Sequence, residues 1–241
     1  MTPLVLLHGW ALNHKIFVDL IANLERNCIA PDLPGHGNAP DILVWQAQDV
    51  AEYLLRELPA TFDLLGWSIG AQIALQIAAI APERVKRLIL IGATPKFVRA
   101  DDWPHAVTSQ TLATLRQQIT LNTSRTIREF LALQVRGDSA ATATLQRLQQ
   151  ALAEGGEGQP TALQAALGWL EVTDQRPWLG NIHQQTLVVA GQYDRIVHPE
   201  ASKSLANQLP NALYLEIPRC GHAPFISHPE EIQGLVQEFL R

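Results

Sequence analysis

The chain has 241 residues, 47% hydrophobic and 17% charged, with a net charge of -5; it is long enough for one well-buried core and too acidic to favour nucleic acid as a partner. No apolar run approaches the roughly 18 to 20 residues that cross a bilayer, and the opening MTPLVLLHGW has neither the basic start nor the cleavage site of a signal peptide. A soluble, cytoplasmic monomer is therefore expected, and two isolated cysteines, Cys28 and Cys220, outside any metal-spaced cluster, give no reason to expect a disulfide, a metal or a cofactor.

In chain order, short apolar runs at 4–7, 28–30, 62–65 and 87–91 read as strands, and stretches at 45–58 and 71–81 read as helices between them. The alternation resumes with strands at 186–190 and 213–217 and helices at 199–209 and 229–240. Nearly continuous hydrophobic strands separated by helices predict an α/β fold with a mostly parallel central sheet covered on both faces. From 96 to 176 no strand is legible, only helical periodicity and a glycine-rich stretch, Gly155-Gly156-Glu157-Gly158, read as a hinge. A structureless loop of that length is rare, so these residues are expected to form a helical cap inserted between core segments 1–95 and 177–241.

Charge is uneven along the chain. Between Trp103 and Ala153 five arginines (Arg116, Arg125, Arg128, Arg136, Arg147) face two acids (Glu129, Asp138), +3, which leaves -8 for the rest. A basic cap on an acidic body would steer an acidic partner. The plainer alternative is a solvated helix face with Glu129 and Asp138 as local partners.

The chemistry centres on "LLGWSIGA", where Gly66-x-Ser68-x-Gly70 falls between a strand and a helix, the pattern of a nucleophile elbow. The competing use of such a serine is to cap the next helix. A serine hydroxyl is a weak nucleophile at neutral pH, so it needs a base and an acid to orient that base, later in the chain in the order Asp, His. Asp194 in "GQYD" and His222 in "CGHAPF" each follow a strand, at the carboxyl end where site residues of a parallel sheet belong. His8 and His36 lie on loops near the same end, where an orienting hydrogen bond suits them better than proton transfer. Oxyanion donors are expected from the backbone N–H of Ile69 and of Trp10, in the loop after the first strand.

The motifs "LVLLHGW", "DLPGHG", "GWSIG" and "GHAPF", in this order over essentially the whole chain, resemble those of the α/β-hydrolases with a helical cap. More narrowly, "VLLHGWALN", "DDWP", "REFLALQ" and "HAPFISHP" are similar to the pimeloyl-acyl-carrier-protein methyl ester esterases of biotin synthesis. That resemblance implies a serine carboxylesterase with Ser68, Asp194 and His222 as triad and Trp10 and Ile69 at the oxyanion and substrate. It implies Phe130, Leu131, Ala132, Leu133 and Gln134 lining an acyl channel, and an acyl carrier protein as partner, with Arg125, Arg128, Arg136 and Arg147 as candidate contacts. Alternatives are a broad short-chain carboxylesterase or a capped carbon-carbon hydrolase or lyase. A silent receptor on the same fold would ordinarily have lost a triad residue, and here all are present.

Overall fold

The computed structural model describes residues 1–42 and 45–241. Among the described residues, six strands form one parallel sheet: β1 (Leu4–Leu7), β2 (Cys28–Ile29), β3 (Phe62–Trp67), β4 (Val85–Ile91), β5 (Gln185–Gly191) and β6 (Ala212–Ile217). Every residue of β1 and β3 is buried, which is why these segments read as apolar runs, broken in β3 only by Asp63. β3 continues two residues beyond the apolar run, through Gly66 and Trp67, and so carries the chain directly to Ser68.

The strand order is β2-β1-β3-β4-β5-β6. The chain steps from β1 outward to β2, returns to β3 on the other side of β1, and then proceeds in one direction. The carboxyl ends of β1 and β3 therefore flank the point where the winding reverses, the place where open α/β sheets form their ligand crevice. Core helices follow as α1 (Val18–Ala22), α2 (Ala47–Glu57) and α3 (Ile69–Ile80), with α3 packed over β1, β3 and β4.

Between β4 and β5 lie α4 (Ser109–Leu121), α5 (Thr123–Gln134), α6 (Ala141–Gly155) and α7 (Pro160–Val172). Asn122 and Thr108 begin α5 and α4 by accepting the N–H of the residue three positions on, which satisfies a donor the helix itself cannot. An antiparallel bridge between Lys96 and Asp174, with their side chains 3.2 Å apart, closes the neck of this insertion. The chain ends with α8 (Pro199–Gln208) over β5 and β6, then α9 (Pro224–Ser227) and α10 (Pro229–Phe239).

The glycine-rich stretch serves two ends: Gly156 turns the chain off α6 with φ 86° and open space around it, whereas Gly155 is a packed contact. A Cβ on Gly155 would sit 2.3 Å from the side chain of Asn13. The Asn13 amide donates to the carbonyl oxygens of Ala151 and Gly156, both at 3.1 Å, pinning the end of α6 to the loop after β1. Gln159 N–H donates to Gly35 O at 2.7 Å and fixes the start of α7 as well. Sequence cannot separate the two uses of glycine, because conformational freedom and lack of bulk have the same signature.

Candidate active site

Ser68 lies between β3 and α3 with φ 59° and ψ -122°, a left-handed conformation for a residue with a side chain. Such strain costs on the order of 1–3 kcal/mol and persists only where the surroundings enforce it. Its hydroxyl makes no capping bond to α3, so the structure does not use it as a helix cap. The two flanking glycines serve a different purpose from the one their pattern invites. Neither has positive φ; a Cβ on Gly66 would lie 2.5 Å from Ala71 Cα, and one on Gly70 would lie 2.3 Å from Leu7 O. They let strand and helix close tightly around a serine that carries the strain itself.

Asp194 and His222 meet below this turn. His222 Nδ1 lies 2.6 Å from Asp194 Oδ2, and both residues are almost fully buried. The other carboxylate oxygen of Asp194 accepts the N–H groups of Ile196 (2.8 Å) and Val197 (2.9 Å), which fixes its orientation. With Nδ1–H donated to the carboxylate, Nε2 is left as the acceptor nitrogen, the form a general base needs. That Nε2 is buried without a protein partner among the described residues. The indole of Trp67, the residue before Ser68, donates to His222 O at 2.8 Å and holds the histidine loop beside the nucleophile.

Further residues position His222. Its N–H donates to Gln134 O at 2.9 Å, and Asp138 accepts the N–H of Gly221 at 2.8 Å. Asp138 also accepts from Ala140 N–H, so it is a support of the histidine loop and not a partner for the cap arginines. Gly92 closes β4 with φ 54°, and a Cβ there would fall 2.9 Å from His222 Cε1, so both backbone and space exclude a larger residue. The sequence held no signal for either role, since both contacts are long-range.

The loop after β1 supplies the opposite wall. A Cβ on Gly9 would lie 3.4 Å from Ser68 Cβ, which brings the Trp10 backbone alongside the nucleophile. Neither the Trp10 nor the Ile69 N–H has an acceptor among the described residues. His8 shapes this loop: its Nε2 accepts Leu33 N–H at 2.9 Å and its Nδ1 lies 2.9 Å from Gly9 O. Burial, with His36 nearby, pushes His8 down to about 3, so the ring stays neutral.

Ser68 opens into a narrow cavity of about 20 Å³, room for about one water. Phe97, Leu115, Phe130 and Ile196 line both this cavity and a larger apolar groove of about 430 Å³, which lies between α4 and α5 and reaches Leu133, Glu129 and Arg195. The 130–134 stretch does not line it as a block. Phe130 and Leu133 face the groove, whereas Leu131 is buried in the core, Ala132 is exposed, and Gln134 is buried behind His222. A period of 3.6 residues spreads neighbours around the axis, so the lining face of α5 is Thr126, Glu129, Phe130 and Leu133. Phe97, Leu115 and Ile196, from three other segments, escaped the sequence because only folding brings them together.

The candidate carrier-contacting arginines divide. Arg147 turns inward, pairing with Asp19 and donating to Lys15 O, so it bolts α6 to the core. Arg125 is exposed and paired with Glu129 at 2.8 Å, one helical turn away. Arg128 and Arg136 are exposed and have no ion pair among the described residues. Three exposed arginines thus remain on the outer face of the cap.

A strained serine after the third strand of a parallel sheet, with a buried His–Asp pair beneath it, is matched by a family model. The model, described as the alpha/beta hydrolase fold, covers residues 2–229. The chain belongs to the α/β-hydrolase family. Within it, this hydrolase is 38% identical to the pimeloyl-[acyl-carrier protein] methyl ester esterase of Stenotrophomonas maltophilia, over 98% of this chain and 92% of that protein. It is 35% identical to the protein of that name from Nitrosomonas europaea, over 95% of this chain and 91% of the relative. An esterase from Exiguobacterium antarcticum shares the fold with a TM-score of 0.87 at 21% identity, covering 100% of this chain and 92% of that one.

Proposed function

We propose that this hydrolase cleaves the methyl ester of pimeloyl-acyl carrier protein, releasing methanol and pimeloyl-acyl carrier protein in biotin synthesis. Ser68 attacks the ester carbonyl as His222 takes its proton, with Asp194 holding the imidazole and the Trp10 and Ile69 N–H groups receiving the oxyanion. His222 then protonates the departing methoxide, and water hydrolyses the acyl-enzyme. No metal or other cofactor takes part in this scheme.

The observation that carries the reading is the groove. It adjoins the Ser68 cavity through the shared walls Phe97, Leu115, Phe130 and Ile196 and lies open between α4 and α5, an arrangement suited to a methylene chain whose far end stays outside. A carrier-tethered ester needs such an open end, whereas a small free ester does not. Arg125, Arg128 and Arg136 on the cap supply positive charge for an acidic carrier, and the names of the relatives agree with that partner.

The test is the ratio of kcat/KM for methyl-pimeloyl-acyl carrier protein to that for free dimethyl pimelate, at low and moderate salt, with Ser68→Ala as the blank. A large ratio that falls with salt is the expected result. A ratio near one, insensitive to salt, would leave a general carboxylesterase and remove the carrier from the account.

A further inference from the structure

Helix α3 is apolar on nearly every side, and Gln72 interrupts it one turn after Ser68. The side chain is 1% exposed. Its Nε2 donates to Thr94 O at 2.8 Å, and its backbone oxygen accepts from Gln175 Nε2 at 2.9 Å. The bond to Thr94 fixes which way the amide faces, because a flipped amide would set two carbonyl oxygens against each other. Gln72 Oε1 is thereby left without a donor among the described residues.

Gln72 also lines the cavity that holds Ser68, where the neighbouring walls are Leu167, Leu170 and Val197. A buried carbonyl oxygen with no donor costs on the order of 1–3 kcal/mol, and native proteins rarely leave one so. Thr94, the other polar side chain of this wall, is already engaged with Lys96. The amide oxygens of Gln134, Gln175 and Gln184 also lack a donor among the described residues, but those residues do not line the Ser68 cavity; Gln72 does, so its missing donor belongs next to Ser68. A methyl ester and its methylene chain carry none; water does.

Resting on the ester-hydrolase reading above, we propose that Gln72 Oε1 holds and orients the water that hydrolyses the Ser68 acyl-enzyme. Attack forms a bond between the water oxygen and the acyl carbon, and one water proton passes to His222 Nε2. The second hydrogen stays on that oxygen, inside an apolar cavity, and donates to Gln72 Oε1. Collapse breaks the bond between the acyl carbon and Ser68 Oγ, the proton on His222 moves to Oγ, and the free acid leaves. Methanol has a single hydroxyl hydrogen, which goes to His222, so the same attack by methanol does not need Gln72. Gln72 thus sets the acceptor preference of the acyl-enzyme.

The experiment offers diethyl pimelate to the enzyme in buffer containing methanol and measures the ratio of methyl ester to acid formed. In Gln72→Met, labelling of Ser68 by a fluorophosphonate, which needs no water, still proceeds, and the ratio rises about tenfold, the effect of losing roughly one hydrogen bond to water. A ratio within about twofold of wild type, whatever happens to kcat, overturns the proposal. Should Gln72→Met not fold, a high-resolution crystal structure of the wild type decides: a water within hydrogen-bond distance of Gln72 Oε1 is expected, and a dry Oε1 overturns it. A wild type that neither turns over diethyl pimelate nor labels at Ser68 removes the ester-hydrolase reading, and this proposal with it.

Discussion

Two aspartates, both fully or almost fully buried, stand at opposite ends of the sheet and do opposite things. Asp63, near the start of β3, is clamped by Arg26 at 2.8 Å and Arg87 at 3.0 Å. Asp194, beyond the end of β5, is held by two backbone N–H groups and by His222 at 2.6 Å. A guanidinium never releases its proton at ordinary pH, so the first cluster is static and ties the N-terminal strands together. An imidazole can accept a proton at one nitrogen and pass it on, so the second is suited to relay one. Burial alone does not mark a carboxylate that serves a proton relay; a partner able to pass a proton on does.

That contrast can be broken from either side. Asp194→Asn keeps the shape but has its amide donate to His222 Nδ1, which places the imidazole proton on Nε2; kcat is expected to fall about 10⁴-fold with little change in melting temperature. Asp63→Asn should do the reverse, costing about 3 kcal/mol of unfolding free energy by leaving two arginines uncompensated, with kcat/KM unchanged while the protein is folded. Denaturant melts and ester turnover on the same two preparations check both. If both variants lose only activity, or both lose only stability, the division between the two ends fails.

The other predictions sharpen the comparison with smaller effects. Gly92→Ala presses on His222 without touching substrate, and a loss of about 10²-fold in kcat with little change in KM is expected from steady-state kinetics. The histidines of the first loops answer to pH. Burial brings His36 down to about 4 and His8 down to about 3, both from 6.5, so between these values and 6.5 the unfolded chain binds protons that the folded chain refuses. Stability from this source is present above pH 6.5 and is lost as pH falls towards 4. Unfolding free energy measured against pH should decline there, and His36→Phe should flatten the decline. Arg128→Ala and Arg136→Ala, on exposed side chains, should each lower kcat/KM for the carrier-linked ester by about two- to fivefold at low salt and leave the free ester unaffected.

Much of the candidate site was legible because its signals are local. A strand ending in Gly66-x-Ser68-x-Gly70, and an aspartate and a histidine each just past a strand, are patterns of sequence spacing and strand polarity. The cap lining was less legible: reading 130–134 as one wall ignored that helical geometry sends Leu131 and Ala132 away from the groove. Arg147 and Asp138 counted as surface charges until the fold gave Asp19 to one and Gly221 to the other. Gln72 did leave a trace, one of two glutamines in a mostly apolar helix and the one a turn after Ser68, but its importance rests on an oxygen that only the tertiary structure leaves without a donor.

The sequence by itself determined the parallel sheet and singled out Ser68, Asp194 and His222 as the candidate triad, because alternating hydrophobic runs and turn residues act over a few residues at a time. Only the tertiary structure decided which side chains wall the cavity, which arginines stay free, and that Gly155 packs rather than bends. Those outcomes depend on contacts between segments more than a hundred residues apart, such as Asn13 with Ala151 and Trp67 with His222. Close packing settles them, and no local pattern encodes which distant surface a side chain will meet.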